Sequence, residues 1–255
     1  MPHRGPRRQK PFAAVREFYG DVSVHPSGPA QGFWDLLSPQ ERRALRALAL
    51  DREHVYRPGT ALSVQGDPAT HVFVLLDGWV KILSVTEDGH QSILALRRAG
   101  DIVGETAGET TGHRNATMQA MVTVRALRVE HPAFTSFLDA HRGASRAYRQ
   151  VMTHRFRESD ELRRRHAAAS GPQRLAGLLL GLARQSGGPA REVIEIALPL
   201  SQEELAGLAG ASRATVTRAL ADWRRRGLIQ TGQRRVTLTD VPGLRKLAGP
   251  ALPPP

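Results

Sequence analysis

Apolar positions along the chain follow a helical rhythm, then a strand-like one, then a helical one again. Between Phe33 and Leu50, Leu36, Leu37, Leu45 and Leu48 lie among polar residues, and with Ser38 placed to cap they predict a short helical lead-in. Strand signals follow. Val72–Leu76 and Trp79–Val85 flank Asp77-Gly78, a pair that tolerates the positive φ angles of a two-residue turn, and so predict a β-hairpin. Asp88-Gly89 repeats the signal before Ser92–Leu96, Gly100-Asp101 closes that strand, and further strands are expected near Ala116–Leu127. Turns at such regular spacing predict an antiparallel β-barrel or jelly roll. Helix returns around Pro132–Asp139, and Gly143 to about His166 has helix-forming composition throughout. On that long helix Tyr148, Met152 and Phe156 recur at four-residue spacing, followed by Ser159 and Leu162, which predicts a moderately apolar dimer seam.

The pattern is most specific between Leu198 and Asp240. Ser201 with Glu204 three residues on spells a capping box, Leu205, Ala206 and Leu208 supply an apolar face, and Gly210 meets the positive φ of a tight interhelical turn. Ser212 caps a second helix whose Val216, Ala219 and Leu220 face inward, while Arg213, Ala214, Thr217 and Arg218 project outward. Leu228–Leu238 alternates like two short strands about a Gly-containing turn, a wing tipped by Arg234 and Arg235. This is a winged helix-turn-helix aimed at duplex DNA. Arg213 and Arg218 are the base-reading candidates, since a guanidinium fork can bond O6 and N7 of one guanine, worth roughly 1–3 kcal/mol of discrimination. Ser212, Thr215 and Thr217 are placed to hold phosphate and set register, and Arg234 and Arg235 to touch backbone beside the groove.

Composition narrows the setting. A net charge of +12 favours polyanions. The absence of cysteine excludes disulfides, thiolate-held iron–sulfur clusters and cysteine nucleophiles. No apolar run has the length of a membrane span, and the start MPHRGPRRQK lacks the apolar segment of a signal peptide, so a cytoplasmic protein without a membrane partner is expected. Histidines and carboxylates are scattered, with no His-Glu-x-x-His, Gly-x-Ser-x-Gly or P-loop pattern, so no enzyme and no metal site is expected.

The order of barrel, long helix and winged helix resembles the CRP/FNR family of bacterial transcription regulators over roughly residues 32–242. The matching motifs are Gly66-Asp67, Asp77-Gly78, Gly89, Gly100-Asp101-Ile102-Val103-Gly104-Glu105, Arg114-Asn115-Ala116-Thr117 and Ser212-Arg213-Ala214-Thr215-Val216-Thr217-Arg218. Residues 1–30, rich in Pro, Gly and Arg without periodicity, are expected to form a flexible basic arm, and 244–255 a Pro-rich tail; between them the resemblance implies an α+β chain with a cyclic-nucleotide-binding-like effector domain (31–140), a long dimerisation helix (141–168) and a winged helix-turn-helix (169–243). It implies a homodimer on a near-palindromic DNA site, contact with RNA polymerase, and a small effector in the barrel, cyclic AMP or another cyclic nucleotide. The effector residues it points to are Gly104, Glu105 and Thr106, with the carboxylate on a ribose hydroxyl, and Arg114 and Asn115 on the cyclic phosphate. Ser159 and Asp160 fall where cyclic AMP-responsive members place hydroxyl residues against the adenine.

This chain departs from that pattern at four places. Thr106-Ala107 follows Gly104-Glu105 where a bulky apolar residue is usual, Asn115 replaces a hydroxyl, and Asp160 brings a second negative charge, leaving the base undetermined. Ala214 stands where cyclic AMP-responsive members carry a Glu that accepts from cytosine, so the DNA site is expected to match at guanines and to relax at that cytosine. Glu105 and Arg114 could also simply pair with each other. Two other readings remain: a ligand-independent DNA binder whose barrel is a scaffold, and a haem sensor using His90, His113, His154 or His166.

Overall fold

The computed structural model describes residues 32–49, 52–85, 91–106, 112–187, 193–197, 199–233 and 235–249. The expected basic arm, the Asp88-Gly89 turn and Arg234 lie outside the described residues, as does the side chain of Leu162.

Two helices lead in, α1 (Phe33–Leu36) and α2 (Pro39–Leu48). Ser38 caps α2 as expected: its Oγ accepts the Glu41 N–H at 3.2 Å and the Glu41 carboxylate accepts the Ser38 N–H at 2.8 Å. Glu41 also accepts the Ala144 N–H at 2.7 Å, so one carboxylate serves the starts of two helices. Burial alone would raise its pKa, but these hydrogen bonds hold it below its ordinary value of 4.5.

Eight strands follow: β1 (Glu53–Tyr56), β2 (Ala61–Ser63), β3 (His71–Asp77), β4 (Trp79–Val85), β5 (Gln91–Arg98), β6 (Ile102–Val103), β7 (Thr117–Ala120) and β8 (Val124–Glu130). They form two four-stranded antiparallel sheets, ordered β1-β8-β3-β6 and β2-β7-β4-β5, the face-to-face arrangement of a jelly roll. The expected hairpin across Asp77-Gly78 is corrected here. β3 pairs with β6 and β8, whereas β4 pairs with β5 and β7, so Asp77-Gly78 is a corner where the chain changes sheet. Gly78 has φ +87°, and a Cβ there would collide with the Thr123 carbonyl oxygen and Val124, so close strand approach demanded the glycine. The hairpin is β4–β5 instead, registered from Trp79↔Arg98 to Val85↔Gln91.

Strand β3 is buried on both faces, which is why Val72–Leu76 reads as a continuous apolar run. Phe73 and Leu75 join Val80, Val103, Met118 and Val124 inside the roll, while Val72 and Val74 join Phe33, Leu45, Ile102, Leu127, Phe134 and Phe137 under the helices. The chain then forms α3 (His131–Ala140) and the long α4 (Arg142–Ala168), whose Ala144, Ala147 and Val151 pack on that second cluster.

The C-terminal module comprises α5 (Gly171–Gly187), β9 (Ile194–Ile196), α6 (Gln202–Ala209), α7 (Arg213–Arg225), β10 (Ile229–Gly232), β11 (Arg235–Leu238) and α8 (Val241–Ala248). Its sheet runs β10-β11-β9, and Leu175, Leu178 and Leu182 of α5 are fully buried at its centre. The expected tail from 244 is also corrected. Asp240 caps the Gly243 N–H at 2.8 Å, Pro242 fits the first turn, and Leu244 is 0 % exposed, so helix extends to Ala248. Leu83, Ile93, Leu96 and Met121 of the roll belong to the same apolar cluster as this module's core.

Candidate DNA-binding face and effector site

The helix-turn-helix is built as its sequence dictates. Ser201 and Glu204 close the capping box of α6 at 3.1 and 2.8 Å, Gly210 takes φ +57°, and the Ser212 Oγ accepts the Thr215 N–H at 3.1 Å to start α7. Val216, Ala219, Leu220 and Trp223 are buried, which turns Arg213, Ala214, Thr217 and Arg218 to solvent. Arg213 is 71 % exposed with Nε 4.0 Å from Glu203, and Arg218 Nε donates to the Ala214 carbonyl at 3.3 Å. Both guanidiniums are therefore held only weakly and can be redirected to an acceptor outside the protein. The Thr217 hydroxyl donates to Gln202 Oε1 at 2.7 Å, bringing the start of α6 onto the same face, an extension that sequence reasoning missed. Thr215 is half-buried, with its Oγ1 2.9 Å from the Oγ of exposed Ser212. In the wing, β10 and β11 pair from Ile229↔Leu238 to Gly232↔Arg235, and Arg235 is exposed, 3.8 Å from Glu195.

Burial organises the second site. Arg114 is 5 % exposed, with Nη1 donating to the Gly104 carbonyl at 2.8 Å, Nη2 to the His71 carbonyl at 2.5 Å, and its guanidinium 5.7 Å over the Phe73 ring. Its Nε is buried without a hydrogen-bond partner. Burial lowers the Arg114 pKa and nearby Glu105 opposes the shift; the group remains a cation. Gly104 has φ +82°, and a Cβ there would lie 2.5 Å from Arg114 Nη1, so this glycine makes room for the guanidinium. Glu105, also 5 % exposed, does not spend its carboxylate on Arg114: Oε1 accepts Arg155 Nη1 of the long helix at 2.7 Å. Arg155 Nη2 donates to the Ile102 carbonyl at 2.7 Å and lies 3.8 Å from Asp101. Sequence reasoning missed Arg155, although it stands one helical turn before Ser159. Thr106 and Asn115 are exposed at the rim, and Ser159 and Asp160 are half-buried on α4.

The seam residues separate. Tyr148 meets Phe33 and Phe134 edge-on at ring distances of 6.4 and 5.8 Å, and Met152 packs on the same cluster, so both are engaged by their own chain. Phe156 is 67 % exposed.

A jelly roll with a buried arginine, joined by a long helix to a winged helix-turn-helix with an exposed guanidinium face, defines a DNA-binding transcription regulator with a cyclic-nucleotide-binding-type domain. Family profiles agree, matching a cyclic nucleotide-binding domain over residues 53–141 and a Crp-like helix-turn-helix domain over 173–247. The chain belongs to the CRP/FNR family of transcriptional regulators. It is 29% identical over 209 residues to a CRP-like cAMP-activated global transcriptional regulator of Mycobacterium tuberculosis, covering 82% of this chain and 93% of the relative. The transcriptional regulator LdrP of Thermus thermophilus is 32% identical over 192 residues, covering 74% and 93%. Among solved structures, a CRP-family regulator from Thermus thermophilus aligns with TM-score 0.64 at 28% identity over 78% of this chain and 98% of its own. FixK2 of Bradyrhizobium japonicum shares the fold, with TM-score 0.68 at 21% identity over 79% and 98%.

Proposed function

We propose that the protein is a homodimer that reads a near-palindromic DNA site with Arg213 and Arg218, supported on phosphate by Ser212, Thr217 and the wing, and that it contacts RNA polymerase. The observation that carries this reading is the exposed Arg213/Ala214/Thr217/Arg218 face on a helix whose other side is fully packed. Two-fold symmetry would set two such helices one DNA turn apart, about 34–36 Å. Phe156, the exposed aromatic on α4, is the centre of the proposed seam. Selection of duplexes from a random pool, followed by titration with Arg213→Ala and Arg218→Ala, tests this. Each substitution should cost roughly 1–3 kcal/mol and loosen selection at one base position. A uniform loss on all sequences would make these phosphate contacts and refute base reading.

In the barrel we propose a small anionic effector of the cyclic nucleotide class. The residues fit a phosphate: Arg114 Nε is buried and unpartnered, on a cation for which Gly104, lacking a Cβ, leaves room. Arg114 would hold the phosphate, and Glu105, shared with Arg155, a sugar hydroxyl. One observation favours a second reading, a ligand-independent regulator: Glu105 and the Arg114 Nη atoms already have protein partners. Calorimetry with cyclic AMP and cyclic GMP, on the native chain and on Arg114→Ala, decides between them. Heat that Arg114→Ala abolishes supports the effector; no heat from either nucleotide supports the second reading.

A further inference from the structure

Arg174 stands in the first turn of α5, where the helix dipole disfavours a cation, so its placement requires acceptors elsewhere. Each of its three guanidinium nitrogens finds one. Nε donates to the Ala209 carbonyl at 2.8 Å, Nη2 to the Gly210 carbonyl at 2.5 Å, and Nη1 to the Ala169 carbonyl at 2.5 Å. Ala209 and Gly210 are the last residue and C-cap of α6, whose final carbonyls have no intrahelical partner and form the negative end of that helix. Ala169 directly follows α4. The same junction touches the recognition helix: a Cβ on Gly171 would lie 3.1 Å from Thr215 Cγ2 and 3.2 Å from Ala211 Cβ.

We infer that Arg174 is a positioning residue for DNA reading: its guanidinium fork fixes the helix-turn-helix corner to the end of the long helix and so sets the angle at which α7 is presented. The inference rests on the DNA-reading role proposed above. Geometry makes the angle consequential. Arg218 lies five residues beyond the first residue of α7, about 8 Å along its axis, so a 10° tilt about the corner shifts it by roughly 1.4 Å, well beyond the ~0.5 Å within which a recognition geometry must be held. A bidentate arginine–guanine pair does not survive that displacement, whereas attraction to phosphate does. Arg174 should therefore govern discrimination between sequences more than affinity for DNA.

The test titrates the full-length native chain, Arg174→Ala and Arg174→Lys against a selected duplex and a random one at fixed salt, well below each variant's melting temperature. Arg174→Ala should lower the ratio of selected to random affinity at least about tenfold while random binding changes less than about twofold. Arg174→Lys keeps the charge but loses the fork, so it should restore only part of the ratio. An unchanged ratio beside a lowered melting temperature would make Arg174 a stabilising residue only and overturn the inference. If Arg174→Ala fails to fold, the ratio for Arg174→Lys decides on the same criterion. A native chain that does not discriminate between the duplexes refutes the DNA-reading role itself, which separates the two failures.

Discussion

Replacing Arg155 by Ala removes the cation that ties the long helix to the jelly roll. The Arg155 and Glu105 side chains are 17% and 7% exposed and their charged atoms lie 2.7 Å apart, so neither charge is well screened by water. At an effective dielectric of about 20, unit charges about 4 Å apart attract by about 4 kcal/mol. Deleting one partner of such a buried pair leaves the other charge stranded and typically costs about 3–5 kcal/mol. The Ile102 carbonyl loses its donor as well. Urea unfolding followed by far-UV circular dichroism should show the loss as a midpoint shift of about 1.5–2.5 M, for a denaturant slope of about 2 kcal/mol/M. The decisive comparison is a double-mutant cycle with Glu105→Gln, in which the doubly substituted chain no longer buries an unpaired charge. Its destabilisation should fall short of the sum of the two single losses by at least about 2 kcal/mol. Additivity within about 0.5 kcal/mol would refute the claim that these two charges hold helix to barrel.

Lys81 Nζ bonds Glu204 at 2.7 Å between the jelly roll and α6. Burial pushes the Glu204 carboxyl up, but Lys81 and the Ser201 bonds outweigh it and hold it below 4.5. A depressed folded-state value gives stability that is complete above the ordinary value and is lost as pH falls through the folded one. Melting temperature should therefore drop below about pH 4.5, and Lys81→Met should be less stable near neutrality with a smaller acid-dependent drop. Gly104→Ala forces a side chain onto φ +82° and into Arg114, so it should cost about 1–3 kcal/mol in thermal melts and displace the guanidinium that the effector reading requires. Phe156→Glu places charge in the proposed seam, and sedimentation should show monomers at concentrations where the native chain is dimeric; an unchanged mass would move the seam elsewhere on α4.

Local chemistry made the C-terminal module legible. Ser201, Glu204, Gly210 and Ser212 satisfy backbone needs within a few residues, so their meaning does not depend on the rest of the fold. The strand partners of Asp77-Gly78 were not legible, because a positive-φ turn is compatible with a hairpin and with a corner alike. Long-range packing chose between them when Thr123 and Val124 came against Gly78. Helix α8 was hidden because its start rests on Asp240 capping the Gly243 N–H, a bond that the sequence pattern did not single out. At the candidate effector site, Gly104, Glu105 and Arg114 were singled out through their motif, but Arg155 was not, since one arginine among many in α4 gains meaning only when the helix lies against Glu105. Arg174 was hidden in the same way, as its three acceptors come from the α4 end and the α6 end.

The shared oily seam beneath the helix-turn-helix bears on any attempt to study that unit by itself. A fragment cut free at Gly171 would carry into water the underside that Leu83, Ile93, Leu96 and Met121 cover in the intact chain. Such a piece would self-associate, and its apparent grip on DNA would report clumping as much as recognition.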